Sequence, residues 1–219
     1  MQIAIPLFDR FTALDAVGPY EVLSRLPGAS VTFVGEQTGP LRSEIGTLAL
    51  TVDAAFDEVD APDIVVVPGG PGTRAMLTPG PLHAWIRAVD PTTRWTTSVC
   101  TGSLVLGAAG LLEGLEATTH WAALDELAPL CGTVVGDRRI VPQGKVVTAA
   151  GVTAGIDMAL WLAAQVAGDD VAKAIQLGIE YDPQPPFDSG STATADPELV
   201  AFVRELVLDR PGSGQVAAP

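Results

Sequence analysis

Short apolar runs that end in turn residues, spaced by longer stretches of helical periodicity, constrain this chain more than any other feature of its sequence. Residues 2–6, 30–35, 63–67, 94–99 and 146–149 read as strands. The run Ile64-Val65-Val66-Val67 is apolar at every position rather than at alternate ones, so a sheet built from it has both faces covered. Residues 13–26, 81–89, 102–109, 121–130 and 153–166 carry helical spacing, and 169–177 follows after Gly168. Leu14, Val17, Val22 and Leu26 form one apolar face of the first helix, which Pro27-Gly28 stops. Such alternation specifies an α/β sandwich with a mostly parallel sheet between helical layers. Residues 41–45 and 48–52, split by Gly46-Thr47, read as a hairpin beside that sheet.

The 219 residues suit one large domain, expected over residues 1–208. Asp182-Pro183-Gln184-Pro185-Pro186 excludes regular structure, because proline fixes φ and lacks a donor. A last helix is expected over 197–208, and the Gly-, Pro- and Ala-rich residues 209–219 are expected to be a disordered tail. The chain carries 12 basic and 26 acidic residues, a formal charge of −14, which is the wrong sign for a nucleic-acid surface. No apolar stretch reaches the roughly 20 residues that span a bilayer. Met1-Gln2-Ile3-Ala4-Ile5-Pro6 reads as a strand rather than an export signal, so the expected location is the cytoplasm. The two cysteines, Cys100 and Cys131, are then expected as free thiols. With His83 and His120 they show no metal-ligand spacing, and no metal site is expected.

Cys100-Thr101 joins the strand at 94–99 to a small-residue helix at 102–109. A cysteine there sits at the carboxyl edge of a parallel sheet and at a helix N-terminus, whose free N–H groups and dipole favour a thiolate. Gly102 lets the elbow turn tightly. The arrangement resembles a nucleophile elbow with cysteine in place of serine; a buried core cysteine is the competing reading. Pro68-Gly69-Gly70-Pro71-Gly72 follows the neighbouring strand, either as an oxyanion nest built from the Gly69 and Gly70 amides or as an ordinary sharp loop. Asp15 lies just inside the first helix, where Thr12-x-x-Asp15 fits a capping box, yet its carboxyl projects at the same sheet edge as Cys100. His120, at another strand-to-helix junction, either pairs with the thiol or caps a helix. Cys131 reads as a structural thiol and His83 as a surface residue.

Four segments taken together resemble the ThiJ/PfpI family of the class I glutamine amidotransferase-like superfamily. They are Leu14-Asp15-Ala16-Val17-Gly18-Pro19-Tyr20-Glu21-Val22-Leu23, Val67-Pro68-Gly69-Gly70, Cys100-Thr101-Gly102 and Ala117-Thr118-Thr119-His120-Trp121. The resemblance runs from residue 1 to about 190. Within the family it is strongest to the isonitrile hydratases, through Asp15, where many members carry Glu, and through the run from Ile175 to Phe187. It departs at Gly114-Leu115-Glu116-Ala117, where a basic run is more typical.

The resemblance implies a flavodoxin-like fold, a symmetric homodimer and Cys100 as nucleophile. It further implies that Asp15 and Thr101 assist the hydration of an isocyanide to an N-substituted formamide. A terminal isocyanide carbon accepts a thiol if a proton arrives as the bond forms, and no metal or organic cofactor is required. The competing expectations are another cysteine hydrolase or glyoxalase-like enzyme of the family, and a sensor module like those preceding AraC-type DNA-binding regions. A regulator of that kind is expected to continue for about another 100 residues with a helix-turn-helix, a typical domain size.

Overall fold

The computed structural model describes residues 1–208, so the expected tail at 209–219 lies outside the described residues. In chain order the elements begin with β1 (Gln2–Pro6), α1 (Ala13–Leu23), β2 (Ser30–Gly35), β3 (Gly39–Arg42), β4 (Ala49–Val52) and β5 (Ala54–Ala55). Next come β6 (Ile64–Val67), α2 (Pro81–Val89), β7 (Trp95–Val99), α3 (Gly102–Ala108), β8 (Glu116–Ala117) and α4 (Leu124–Leu127). The chain then forms β9 (Thr133–Val134), β10 (Ile140–Gln143), β11 (Val146–Ala149), α5 (Ala154–Ala167), α6 (Asp169–Gly178) and α7 (Pro197–Leu208).

Seven strands form the central sheet in the order β10-β11-β7-β6-β1-β2-β5, all parallel except β10. Its register sets Val67 beside Ser98, and Ser98 beside Thr148. The carboxyl ends of β6, β7 and β11 therefore open onto one edge. Every residue of β6 and β11 is buried, as continuous apolar runs require. On one side α1 packs against α5, and α5 against α6; on the other, α3 packs against α2, α4 and the 3₁₀ turns Pro71–Leu77. Each fully buried Val or Ile side chain in this core contributes roughly 1.5–3 kcal/mol of hydrophobic stabilisation.

Several local expectations need correction. The first helix ends at Leu23, and its buried residues are Asp15, Ala16, Gly18, Pro19, Val22 and Leu23, while Leu14 is 40% exposed. The apolar face is displaced by one residue at its start because a carboxyl, not a leucine, points inward. Residues 121–130 are not one helix: α4 is a single α-turn between 3₁₀ turns at Trp121–Ala123 and Ala128–Leu130, and Pro129 blocks continuation. The hairpin forms, but as a separate two-stranded sheet of β3 and β4 with a longer connection than Gly46-Thr47 alone. His83 is buried, not on the surface, and its Nδ1 accepts the Gly80 N–H at 3.0 Å. It lies on the face of α2 that also buries Leu82, Trp85, Ile86 and Val89. No helix among the described residues is long and apolar enough to cross a membrane, and no group of three or more potential ligand side chains among them is placed to hold a metal.

Candidate active site

β7 delivers Cys100 to the sheet edge with φ at +56°, the left-handed region that non-glycine residues rarely occupy. That conformation costs on the order of 1–3 kcal/mol and persists only where the surroundings impose it. Here they do so from both sides. The Cys100 N–H bonds the carbonyls of Ala149 at 3.1 Å and Ala150 at 3.2 Å. Its carbonyl accepts the Thr119 hydroxyl at 3.0 Å and the Ser103 hydroxyl at 3.2 Å. The turn's unusual φ thus belongs to the cysteine. Gly102 serves a different need, because a side chain there would collide with the Val67 carbonyl oxygen.

Three distant segments wedge together at this point. Asp15 is fully buried, and its Oδ2 accepts the Gly69 N–H at 2.9 Å. The Gly70 N–H donates to the Thr101 hydroxyl oxygen at 2.9 Å. Both loop amides are therefore engaged by the protein itself, and they do not form the open anion nest expected from the glycine pattern. The capping box does not form either: Thr12 makes no side-chain cap bond, and the Asp15 carboxyl turns to Gly69 instead. The second Asp15 oxygen, Oδ1, is buried without a hydrogen-bond acceptor or donor in range among the described residues. The carboxyl and the Cys100 thiol nonetheless interact, each altering the other's proton affinity.

Burial pushes the Asp15 carboxyl up to about 8, with the Gly69 amide and the Cys100 thiol opposing and the charge of Glu44 reinforcing the rise. Burial also raises the Cys100 thiol well above its ordinary range, helped by the charge of Asp15 and opposed by the Thr101 amide and hydroxyl. This reverses the expectation of a thiolate. A helix N-terminus does follow the cysteine, but desolvation in the packed elbow outweighs it. Both shifts favour the protonated forms, a carboxylic acid beside a thiol.

His120 makes a capping bond and also lines the cavity that holds Cys100. Its Nδ1 accepts the Ala122 N–H at 3.2 Å, which turns that nitrogen toward the backbone. Its ring lies against Trp121, 5.5 Å between centroids, and Gly151 abuts it where any side chain would collide. Cys131 is half-buried, a free thiol whose proton affinity burial also raises. Cys100, Thr101, Gly70 and His120 line a cavity of about 300 Å³, together with Thr12, Glu44, Arg74 and Val152. Arg74 is held in that wall by a two-point ion pair with Glu126. A larger cavity of about 410 Å³, between Phe8, Glu36 and Met76, has no cysteine or histidine in its lining.

Sequence reasoning missed Thr119, Ser103, Glu44 and Arg74. Thr119 was within reach of it, since it sits in Thr118-Thr119-His120, whereas Glu44 and Arg74 reach the cavity only through the hairpin and the 3₁₀ turns. The run Ile175–Phe187 is anchored by Tyr181, whose hydroxyl donates to Asp157 Oδ1 at 2.7 Å while Arg139 pairs with the same carboxylate. That acceptor, after burial, helps raise the phenol to about 12.

A doubly covered parallel sheet of this order, carrying a cysteine in a left-handed strand-to-helix turn beside a buried acid, defines a cysteine-centred flavodoxin-like protein. The chain belongs to the DJ-1/PfpI family, whose model matches residues 1–165. It is 44% identical over 205 residues to the isonitrile hydratase of Pseudomonas putida, covering 94% of this chain and 89% of that protein. A ThiJ/PfpI family protein from Pseudomonas syringae superimposes with a TM-score of 0.90 at 37% identity, over 95% of this chain and 86% of the other. The chain is also 30% identical over 173 residues to the HTH-type transcriptional regulator CdhR of Pseudomonas aeruginosa, spanning 78% of this chain and 51% of the regulator.

Proposed function

We propose that the protein hydrates isocyanides to N-substituted formamides, with Cys100 as nucleophile and Asp15 as the group that moves protons. The observation that carries this reading is the fully buried Asp15 carboxyl, bonded to the Gly69 N–H beside Cys100, where burial raises its affinity for a proton. An isocyanide carbon is a weak base and becomes electrophilic as it is protonated. A neutral acid beside a neutral thiol suits that demand better than a thiolate alone.

Asp15 gives its proton to the terminal carbon as the Cys100 sulfur bonds to it, and the thiol proton passes to the carboxylate. The product is an S-linked thioimidate with one new C–H and one new C–S bond. Water then adds across the C=N bond: its oxygen joins the carbon, Asp15 protonates the nitrogen, and the water's released proton restores Asp15. Collapse breaks the C–S bond, the hydroxyl proton returns to sulfur through Asp15, and the formamide leaves. One isocyanide and one water are consumed, and nothing is oxidised or reduced. Gly69 holds Asp15 in line, and Thr101, bonded to Gly70, fixes the loop and offers its hydroxyl to the incoming water. Positioned proton transfer of this kind contributes typically about 10²–10⁴-fold. His120 acts as cavity wall.

The likeness to an isonitrile hydratase supports the reading. Incubation with an alkyl isocyanide should release the formamide, and Cys100→Ala should abolish both turnover and the covalent adduct; turnover surviving in Cys100→Ala would refute it. The likeness to a transcriptional regulator favours a second reading, ligand sensing, in which the isocyanide binds and is not consumed.

A further inference from the structure

α7 stands apart from the rest of the fold in how it is held. None of its described side chains belongs to the buried core, and Leu199 and Phe202 are each 42% exposed. Its best-defined anchor is Arg204, whose guanidinium lies 5.2 Å from the centre of the Trp121 ring. A void of about 110 Å³ separates the first half of the helix from Trp121 and Ser191. The far end reaches the active-site cavity, where Val207 joins Cys100, Pro71 and Val152 in the lining. Trp121 follows His120, which lines the same cavity, so the clasp and the wall share one short piece of chain.

We propose that Val207 sets the size of the substituent accepted at Cys100, and that the Arg204–Trp121 contact holds α7 at that distance. The identity of the substituent as the N-alkyl group of an isocyanide rests on the function proposed above; the size limit itself does not. Pro71, Val152 and Val207 offer apolar surface, and the volume is at the small end for a ligand cavity. The substituent that fits against these three, away from Glu44 and Arg74 in the same lining, is a compact hydrocarbon. Apolar pockets discriminate by about 10–200-fold for each methylene gained or lost, so one wall residue is enough to shift the preference measurably.

The test separates the wall from the chemistry. N-Methylmaleimide and N-cyclohexylmaleimide carry the same reactive group on substituents of different bulk. Their alkylation rates at Cys100 are followed by peptide mass analysis in the wild type, Val207→Ala, Val207→Trp and Arg204→Gln. Alanine is a better helix former than valine, so Val207→Ala keeps α7 intact. The cyclohexyl-to-methyl rate ratio should rise about tenfold in Val207→Ala, fall about tenfold in Val207→Trp, and rise in Arg204→Gln. Methyl and cyclohexyl isocyanide turnover should show the same ordering. Ratios equal in all four proteins would overturn the proposal, as would isocyanide turnover whose size preference ignores position 207. Shifted maleimide ratios without isocyanide turnover would support the wall and remove only the proposed substrate.

Discussion

Asp15→Asn separates a proton-carrying acid from a structural one. Asparagine keeps an oxygen for the Gly69 N–H but never ionises. In the wild type the carboxyl is raised from an ordinary 3.8 to about 8, chiefly by burial. Between those values the unfolded chain has released a proton that the folded protein retains, so wild-type stability falls as pH rises through the window. Each pH unit in which the states differ by one full proton is worth about 1.4 kcal/mol. From pH 5 to pH 8 the loss integrates to about 4 kcal/mol, allowing for partial ionisation of the folded form near pH 8. Asp15→Asn has no such slope. Cys100, raised well above 9.0, stays a thiol across this range and does not confuse the comparison. Urea denaturation at half-unit steps from pH 5 to 8 should therefore show the variant gaining on the wild type by about 4 kcal/mol, while formamide release falls by about 10²–10⁴-fold. A stability difference between the two proteins that is independent of pH would refute the reasoning, because Asp15 would then not be a buried neutral acid.

Thr119→Val removes the hydroxyl that holds the Cys100 carbonyl and should cost about 1 kcal/mol of stability, with adduct formation slowed when followed by intact-protein mass. Ser103 still bonds that carbonyl, so the protein should fold. His83 is held below its ordinary 6.5, first by burial and then by Arg87, against the Met76 carbonyl. The unfolded chain gains a proton there before the folded protein does, so stability should drop as pH falls below 6.5, and thermal melts of His83→Gln should lack that component. Light scattering at micromolar concentration should give a homodimer mass, consistent with the proposed family assembly; a monomer mass would exclude it.

The strands at 2–6, 30–35 and 146–149 were legible to the residue, because β-branched apolar runs bounded by turn residues leave few alternatives. β5, β8 and β9 have two residues each, too few to carry any period. The location of Cys100 could be read from its junction, and that of Asp15 from its place after β1. Their protonation could not. It depends on how closely the loop after β6 seals both groups from water, a matter of contacts across more than fifty residues of chain. The glycines misled for the same reason: their pattern suggests open amides, and only tertiary packing shows that Asp15 and Thr101 already use them.

The seal around Asp15 also bears on how such sites can diverge. A side chain added to Gly69 would begin 2.9 Å from Asp15 Oδ2, and the Gly69 amide already bonds that oxygen. A glutamate at position 15 would drive its carboxyl one methylene further into the same space. The loop cannot retreat alone, since Gly70 is tied to Thr101 and Thr101 adjoins the cysteine. The length of the acid, the seat of the loop and the aim of the sulfur are thus epistatic. Exchange of Asp for Glu therefore demands compensating changes on two other segments, so the length of this acid cannot be tuned on its own.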